Sequence, residues 1–550
     1  MAEWWKKIVA YQIYPKSFSD ASGSGTGDLK GITNHLDYLK ELSVGAIWIT
    51  PIYPSPMVDN GYDISDYTEI DSAYGSMSDF ENLIAEADKR GIKIVMDLVY
   101  NHSSDKHNWF LESKKNKNNP KADWYIWRDA KADGSPPTNW RSIFGGSAWT
   151  WCEERKQFYL HTFAVEQPDL NWENPEVRQA LYDAANFWLE KGVGGFRIDA
   201  ITYIKKPKKF LDGEPDGKDG LTTIHNFTAN TEGILDFLRE FKEKVFAGKN
   251  IFTVGEANGV AAEELSRWVG KDGVFDMLFE FSHVNLPLKN GEIWCRPTEW
   301  KLSELKQAIS NSQAATKNNG WYPAFFENHD KPRCVNYFFA KGANKIKAAK
   351  ALATVLLTMR GTPFIFQGQE LGMSNVSWNE IEKYNDISSR SQFDFAIQEG
   401  FSAAEAIDFI KFFSRDNART PMQWSAEKNS GFSDAEKTWL PVNENYLEVN
   451  AAAEEKNSDS VLNWYRKLSK FRSENPEFIF GDFEMLLAED EKIFAFARSS
   501  EEKKFVTAVN FSQEKVELPK NFAEKKILID SEKNSDKNFL QPLEARIYQD

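Results

Sequence analysis

Ionisable side chains recur in one context along this 550-residue chain: at the end of short apolar, β-branched runs. Asp97 and His102 follow one run, Arg197 and Asp199 lie in a second, Glu256 ends a third, and His329 and Asp330 end a fourth. Singly, each has an ordinary reading. An Asp after a strand commonly caps the next helix, and a lone His is commonly a satisfied core or surface group. Jointly, so many such groups at one end of a sheet would be costly to bury without a function. Arg197 and Asp199 are two apart, so on a strand both point to the same side. A guanidinium there favours the ionised Asp, the form a nucleophile needs. Glu256, on the next strand, could lie across a cleft from it. Glycoside hydrolysis uses such a pair: one carboxylate attacks the anomeric carbon and one protonated carboxyl serves the leaving oxygen. Two crowded carboxyls resist ionising together, which suits Glu256 as the acid. On spacing alone, a metal-assisted barrel enzyme and a non-catalytic barrel stay open. No His-x-His or His-Glu-x-x-His spacing supports a zinc site.

The elements that must position these groups alternate. Strands are expected at 9–13, 46–52, 92–99, 195–201, 251–255, 274–281, 322–327 and 363–367, with amphipathic helices such as 35–42 and 79–89 between the early ones. Parallel strands need such crossovers, and eight β/α units close into a barrel whose functional groups sit at the C-terminal strand ends. The fold class is therefore α/β, a (β/α)8 barrel over 1–103 and 175–479. An irregular small domain is inserted after the third strand, at 104–174. Its lysines (Lys114, Lys115, Lys117, Lys121) read as a solvated loop. A further insertion spans about 374–440. From 480 to 550 short alternating strands suggest a C-terminal all-β sandwich domain. There is no repeat with a period of 20–50 residues.

Composition narrows the partners. Net charge is −15, which repels phosphate backbones and anionic lipid, so nucleic acid and membrane are poor partner choices. Aromatic residues are abundant, with 19 Trp, 18 Tyr and 40 Phe; they can stack on sugar faces, although most fill cores. Three dispersed cysteines, Cys152, Cys295 and Cys334, suit free thiols in a reducing compartment. No leader segment and no bilayer-spanning apolar run is visible, so a cytoplasmic location is the default. The expected state is a monomer or weak homo-oligomer.

At this level the sequence resembles a known family. DLVYNH (97–102), GFRIDA (195–200), GEA (255–257) and ENHD (327–330) look like the four ordered signature regions of the α-amylase superfamily, glycoside hydrolase family 13. QPDLN (167–171), ARTPMQW (418–424) and SPMVDNGYDISDY (55–67) resemble its oligo-1,6-glucosidase and α-glucosidase branch. The resemblance covers nearly the whole chain and implies a retaining, exo-acting α-glucosidase on short oligosaccharides or disaccharides. It implies Asp199 as nucleophile, Glu256 as acid/base and Asp330 as third carboxylate. His102 and His329 would bind hydroxyls of the same glucose, Arg197 would orient Asp199, and Tyr62 would stack under the ring. Asp59 and Arg419 would grip the non-reducing end, and Phe144, Phe163 and Gln167 would line the mouth. Asn258 would meet the leaving sugar. Ala200, after the nucleophile, is small where a Val accompanies α-1,6 preference in this branch, so α-1,4 links are favoured.

Two departures matter. Many relatives hold calcium in an Asp-rich loop after the first strand. Here that loop runs from Asp20 to Asp28, with Ser22 and Ser24 where Asn and Asp ligands would stand. Neutral hydroxyls are poor ligands for a hard cation, so no cofactor is expected and calcium is doubtful. Gln369 replaces a more usual Glu, without an evident reason. Alternatives on the same scaffold are an oligo-1,6-glucosidase, a trehalose-6-phosphate hydrolase, and a sucrose isomerase or transglucosidase. The isomerases carry an Arg-rich loop after the Asp330 motif, where this chain has the single Arg333. A non-catalytic transporter heavy chain would lack the carboxylates and carry a membrane helix.

Overall fold

The computed structural model describes residues 3–288, 295–339, 341–532 and 536–550. Eight parallel strands form the central sheet: β1 (Val9–Ile13), β2 (Val44–Ile49), β3 (Lys93–Val99), β4 (Gly195–Asp199), β5 (Phe252–Glu256), β6 (Met277–Phe279), β7 (Pro323–Ala324) and β8 (Thr362–Phe366). They pair in the order β6-β5-β4-β3-β2-β1-β8-β7. A bridge between Met277 and Trp321 brings the two ends together and closes the barrel. Every residue of β1, β4, β5 and β8 is buried, as expected for strands covered on both faces. The helices between them are locally encoded. Met77–Lys89 opens with a capping box between Ser76 and Asp79. Pro175–Glu190 starts at Asn174, whose side chain accepts from Glu176 N, with proline in the first turn.

Close packing at β4 and β5 sets the geometry of the site. A Cβ on Gly195 would lie 2.1 Å from the Phe252 carbonyl oxygen, so only glycine allows these strands to approach. Strand β4 stops at Asp199, two residues earlier than its apolar run suggests. Ala200 adopts φ +44°, a left-handed turn, and its N–H donates to Glu256 Oε2 at 2.9 Å. Strands β6 and β7 are likewise shorter than their hydrophobic runs. Residues 325–330 leave the β7 ladder and bring Asp330 to the cavity.

The segment after β3 forms a small three-stranded antiparallel sheet, Trp127–Arg128, Gln157–Leu160 and Trp149–Cys152. Bridges His102–Asp169 and Tyr125–Leu170 tie it to the barrel. Fully buried Asp169 locks the joint, meeting Lys206 Nζ at 2.8 Å and accepting from Thr162 N at 3.0 Å. The C-terminal part is mostly β, with one short helix, Lys520–Ala523, that the all-β expectation missed. Its five-stranded antiparallel sheet joins Asp482–Leu486, Ile493–Ser499, Lys504–Asn510, Ala545–Gln549 and Lys526–Asp530 in that order, beside a two-stranded ladder. It is fastened to the barrel by Arg498, which donates to the Thr358 carbonyl at 3.0 Å. Among the described residues no helix is long and apolar enough to cross a membrane.

Candidate active site

A cavity of about 1180 Å³ opens at the C-terminal end of the barrel. Behind its wall lies Arg197, 1% exposed, with three carboxylates around one guanidinium. Nη1 donates to Asp97 Oδ1 at 2.8 Å and to Asp199 Oδ1 at 2.7 Å, and Nη2 lies 2.9 Å from Glu256 Oε2. Strand register explains this: Arg197 pairs with Asp97 across β3–β4, and Glu256 ends the neighbouring β5. A polar chain supports the cluster from behind. The Gln12 amide donates to His329 Nδ1 at 2.7 Å, His329 Nε2 meets Tyr62 Oη at 2.6 Å, and Tyr62 donates to Asp97 Oδ2 at 3.0 Å. The Tyr62 and His329 rings stack at 5.3 Å.

The expected effect of Arg197 on Asp199 needs revising. Burial pushes the Asp199 carboxyl well above the usual range against the pull of Arg197, and the charges of Glu256 and Asp97 push it further. Asp97 is pushed up to about 6 by burial, again opposed by Arg197. One cation is divided among three acids, so its pull on each is shared. Asp330 behaves oppositely: burial alone would raise it, but His329, Arg415 and Arg419 hold it well below the carboxylate range.

Asp59, Tyr62, His102, Phe144, Phe163, Asp199, Ala200, Glu256, Asn258 and Asp330 all line the cavity. Four other residues read from the sequence stand behind its wall instead. His329 is fully enclosed, with both ring nitrogens engaged. Arg197 is enclosed by its carboxylates. Gln167, expected at the mouth, is fully buried; its amide donates to Asp59 Oδ2 at 3.2 Å and lies 3.1 Å from His102 Nε2. Arg419, expected to grip the sugar with Asp59, is also fully buried. It donates to Asp330 Oδ1 at 2.6 Å and to the His329 carbonyl at 2.9 Å. The cavity-facing guanidinium is Arg415, which donates to Asp59 Oδ1 at 2.9 Å and Asp330 Oδ1 at 3.2 Å. Arg415 is one helical turn before Arg419, so i, i+4 spacing was the available signal.

Other wall residues had no motif to reveal them. Arg141 holds Asp219 through Nε at 2.7 Å and Asp216 through Nη1 at 2.5 Å, while Trp140–Arg141 pairs with Thr222–Thr223. This strap joins the inserted sheet to the segment after β4 and narrows the entrance. Lys331, Phe281 and Asn285 form part of the opposite wall.

The loop after β1 does not fit a cation. Asp20 Oδ1 accepts from the N–H groups of Ser22, Gly23 and Ser24, and its Oδ2 from Gly25 N and Ser433 Oγ. Asp28 Oδ2 accepts from Ala21 and Ser22 N, and its Oδ1 from Gly31 N. Backbone donors occupy the lone pairs that a metal would need. Among the described residues no group of three or more His, Cys, Asp or Glu could hold a metal.

Comparison with known proteins agrees with this architecture. Residues 12–481 match the family model for the alpha amylase catalytic domain. A probable oligo-1,6-glucosidase of Bacillus subtilis is 45% identical over 502 residues, covering 90% of this chain and 89% of the relative. A trehalose-6-phosphate hydrolase of the same organism is 44% identical, covering 90% and 87%. Among solved structures, the isomaltulose synthase of Protaminobacter rubrum superposes with a TM-score of 0.94 at 39% identity, covering 100% and 99%. The chain belongs to the alpha-amylase family, and it is a glycoside hydrolase.

Burial lowers His102 to about 4 in the folded protein, against 6.5 when exposed. The unfolded chain therefore binds the extra proton between these values, and folding stability falls as pH drops from 6.5 towards 4. That difference corresponds to roughly 3 kcal/mol. His102→Gln should flatten that acid limb in a series of urea melts; an unchanged slope would contradict the neutral buried imidazole.

Proposed function

We propose that the protein is a retaining, exo-acting α-glucosidase that removes the terminal non-reducing glucose from short α-glucosides. The observation that carries this reading is the single Arg197 guanidinium contacting both Asp199 and Glu256. That contact keeps the two carboxyls within one guanidinium's span, as a double-displacement pair requires. Asp199 attacks the anomeric carbon and forms a glucosyl ester. Glu256 gives its proton to the leaving oxygen, then takes one from the water that cleaves the ester. Asp330, kept ionised by its arginines, takes hydrogen bonds from sugar hydroxyls and favours the positively charged transition state. His102, uncharged at neutral pH, hydrogen-bonds a hydroxyl without adding charge.

The Asp59–Arg415–Asp330 bridge supports exo action, because it closes the pocket where a longer glucan would continue. Three carboxylates, Asp216, Asp219 and Asp394, line the cavity and two of them engage Arg141, which disfavours a phosphate on that wall. The isomerase reading is disfavoured by Arg333. It is fully buried and donates to Glu327 Oε1 at 3.0 Å and the Gln367 carbonyl at 2.7 Å, so it does not face an acceptor sugar. The reading extends to α-1,4 links, because Ala200 leaves space beside Glu256. It also includes a protein that needs no bound metal and works in the cytoplasm.

Asp199→Asn should lower turnover of p-nitrophenyl α-glucoside by at least about 10³-fold, and proton NMR of the wild-type reaction should show α-glucose first; β-glucose first would exclude the double displacement. Wild type should prefer maltose to isomaltose in kcat/KM, and Ala200→Val should shift that ratio towards isomaltose. A higher wild-type rate on isomaltose would overturn the linkage assignment. Adding a calcium chelator should leave the melting temperature unchanged; a drop of several degrees would mean that a metal is held.

A further inference from the structure

Lys331 follows Asp330 directly and lines the cavity, yet the proposed reaction gives it no task. Its ammonium has three donors. Among the described residues its side chain donates one hydrogen bond, to Asn285 Oδ1 at 2.6 Å, and sits 5.4 Å from the Phe281 ring centre. Two N–H donors are left for whatever enters the pocket. The charges that act on it are those of Asp330 and Glu256. Asn285 and Phe281 follow β6, the strand paired with the β5 that ends in Glu256. Lys331 therefore stands on the side of the acid, where the leaving oxygen must lie. Burial pushes its ammonium down to about 8, against the opposing pull of those two carboxylates. Water can meet those donors in the open cavity, and the hydroxyls of a polyhydroxylated leaving group can take its place.

We infer that Lys331 is a specificity-determining residue that donates hydrogen bonds to hydroxyls of the leaving sugar, selecting glycosyl over aryl or alkyl leaving groups. The inference rests on the α-glucosidase reading above. A site built to hydrogen-bond a hydroxyl discriminates strongly against a leaving group without one. Phe281, beneath the lysine stem, gives the apolar face of that sugar a surface to rest on. Asn285 holds the ammonium in position, so it acts on the substrate through Lys331.

The test compares kcat/KM for maltose and isomaltose with kcat/KM for p-nitrophenyl α-glucoside, whose leaving group carries no sugar hydroxyl. In Lys331→Met and Lys331→Gln the disaccharide-to-aryl ratio should fall about tenfold or more, the scale of a lost charge-assisted hydrogen bond. Lys331→Arg should recover much of it. In wild type the same ratio should decline as pH rises past about 8, where the ammonium is lost. It should be flat with pH in Lys331→Met. Taking the ratio cancels titration of the catalytic carboxyls, and thermal melts check that each variant is folded. An unchanged ratio in both folded variants, or a parallel pH dependence in Lys331→Met, overturns the assignment. Failure of the wild type to cleave any of the three substrates would instead overturn the α-glucosidase reading.

Discussion

One buried guanidinium organises this active site. Arg197 has no route to water, so its charge must be balanced within the barrel, and three acids do so from adjacent strands. Removing it would strand Asp97, Asp199 and Glu256 in low dielectric, a larger penalty than the pairs gain when intact. The cluster is over-supplied with negative charge. In the proposed mechanism one of these carboxyls attacks and another protonates, and both are held by the same guanidinium. The support continues outward through Asp97, Tyr62, His329 and Gln12, so the catalytic carboxyls are held by a connected polar chain.

A second ionic group surrounds Asp330. Arg415 and Arg419 both reach its Oδ1, and Arg415 also reaches Asp59 and Asp386. With two guanidinium groups on one oxygen, Asp330 is held below the usual carboxylate range. Under the proposed mechanism the two clusters have different tasks: Asp199 and Glu256 carry out attack and proton transfer, and Asp330 supplies negative charge beside them. The insertions complete the site. The inserted sheet brings Phe144, Phe163 and Arg141 over the barrel mouth, and the later insertion brings Arg415. The pocket's depth and narrow entrance come from these additions, while the chemistry comes from the strand ends.

Much of this was legible in the sequence because it is local. The apolar runs marked all eight strands, since strands buried on both faces cannot hide their composition. The ordered motifs placed Asp199, Glu256 and Asp330, because each sits at the end of its own strand or just beyond it. Ala200 was noted for its size, but not for the left-handed turn that ends β4 and gives its N–H to Glu256.

What the chain's order of residues determined by itself was the set of strands and their chemical termini. What only the tertiary structure decided was which side chains face the cavity. His329, Gln167 and Arg419 carry the right chemistry and sit in the right motifs, yet packing turns them into supports, while Arg415, Arg141 and Lys331 face the cavity. The reason is physical. Strand periodicity dictates which face a residue takes, but inside versus behind the wall depends on contacts between segments that can be hundreds of residues apart, as between Asp59 and Arg415.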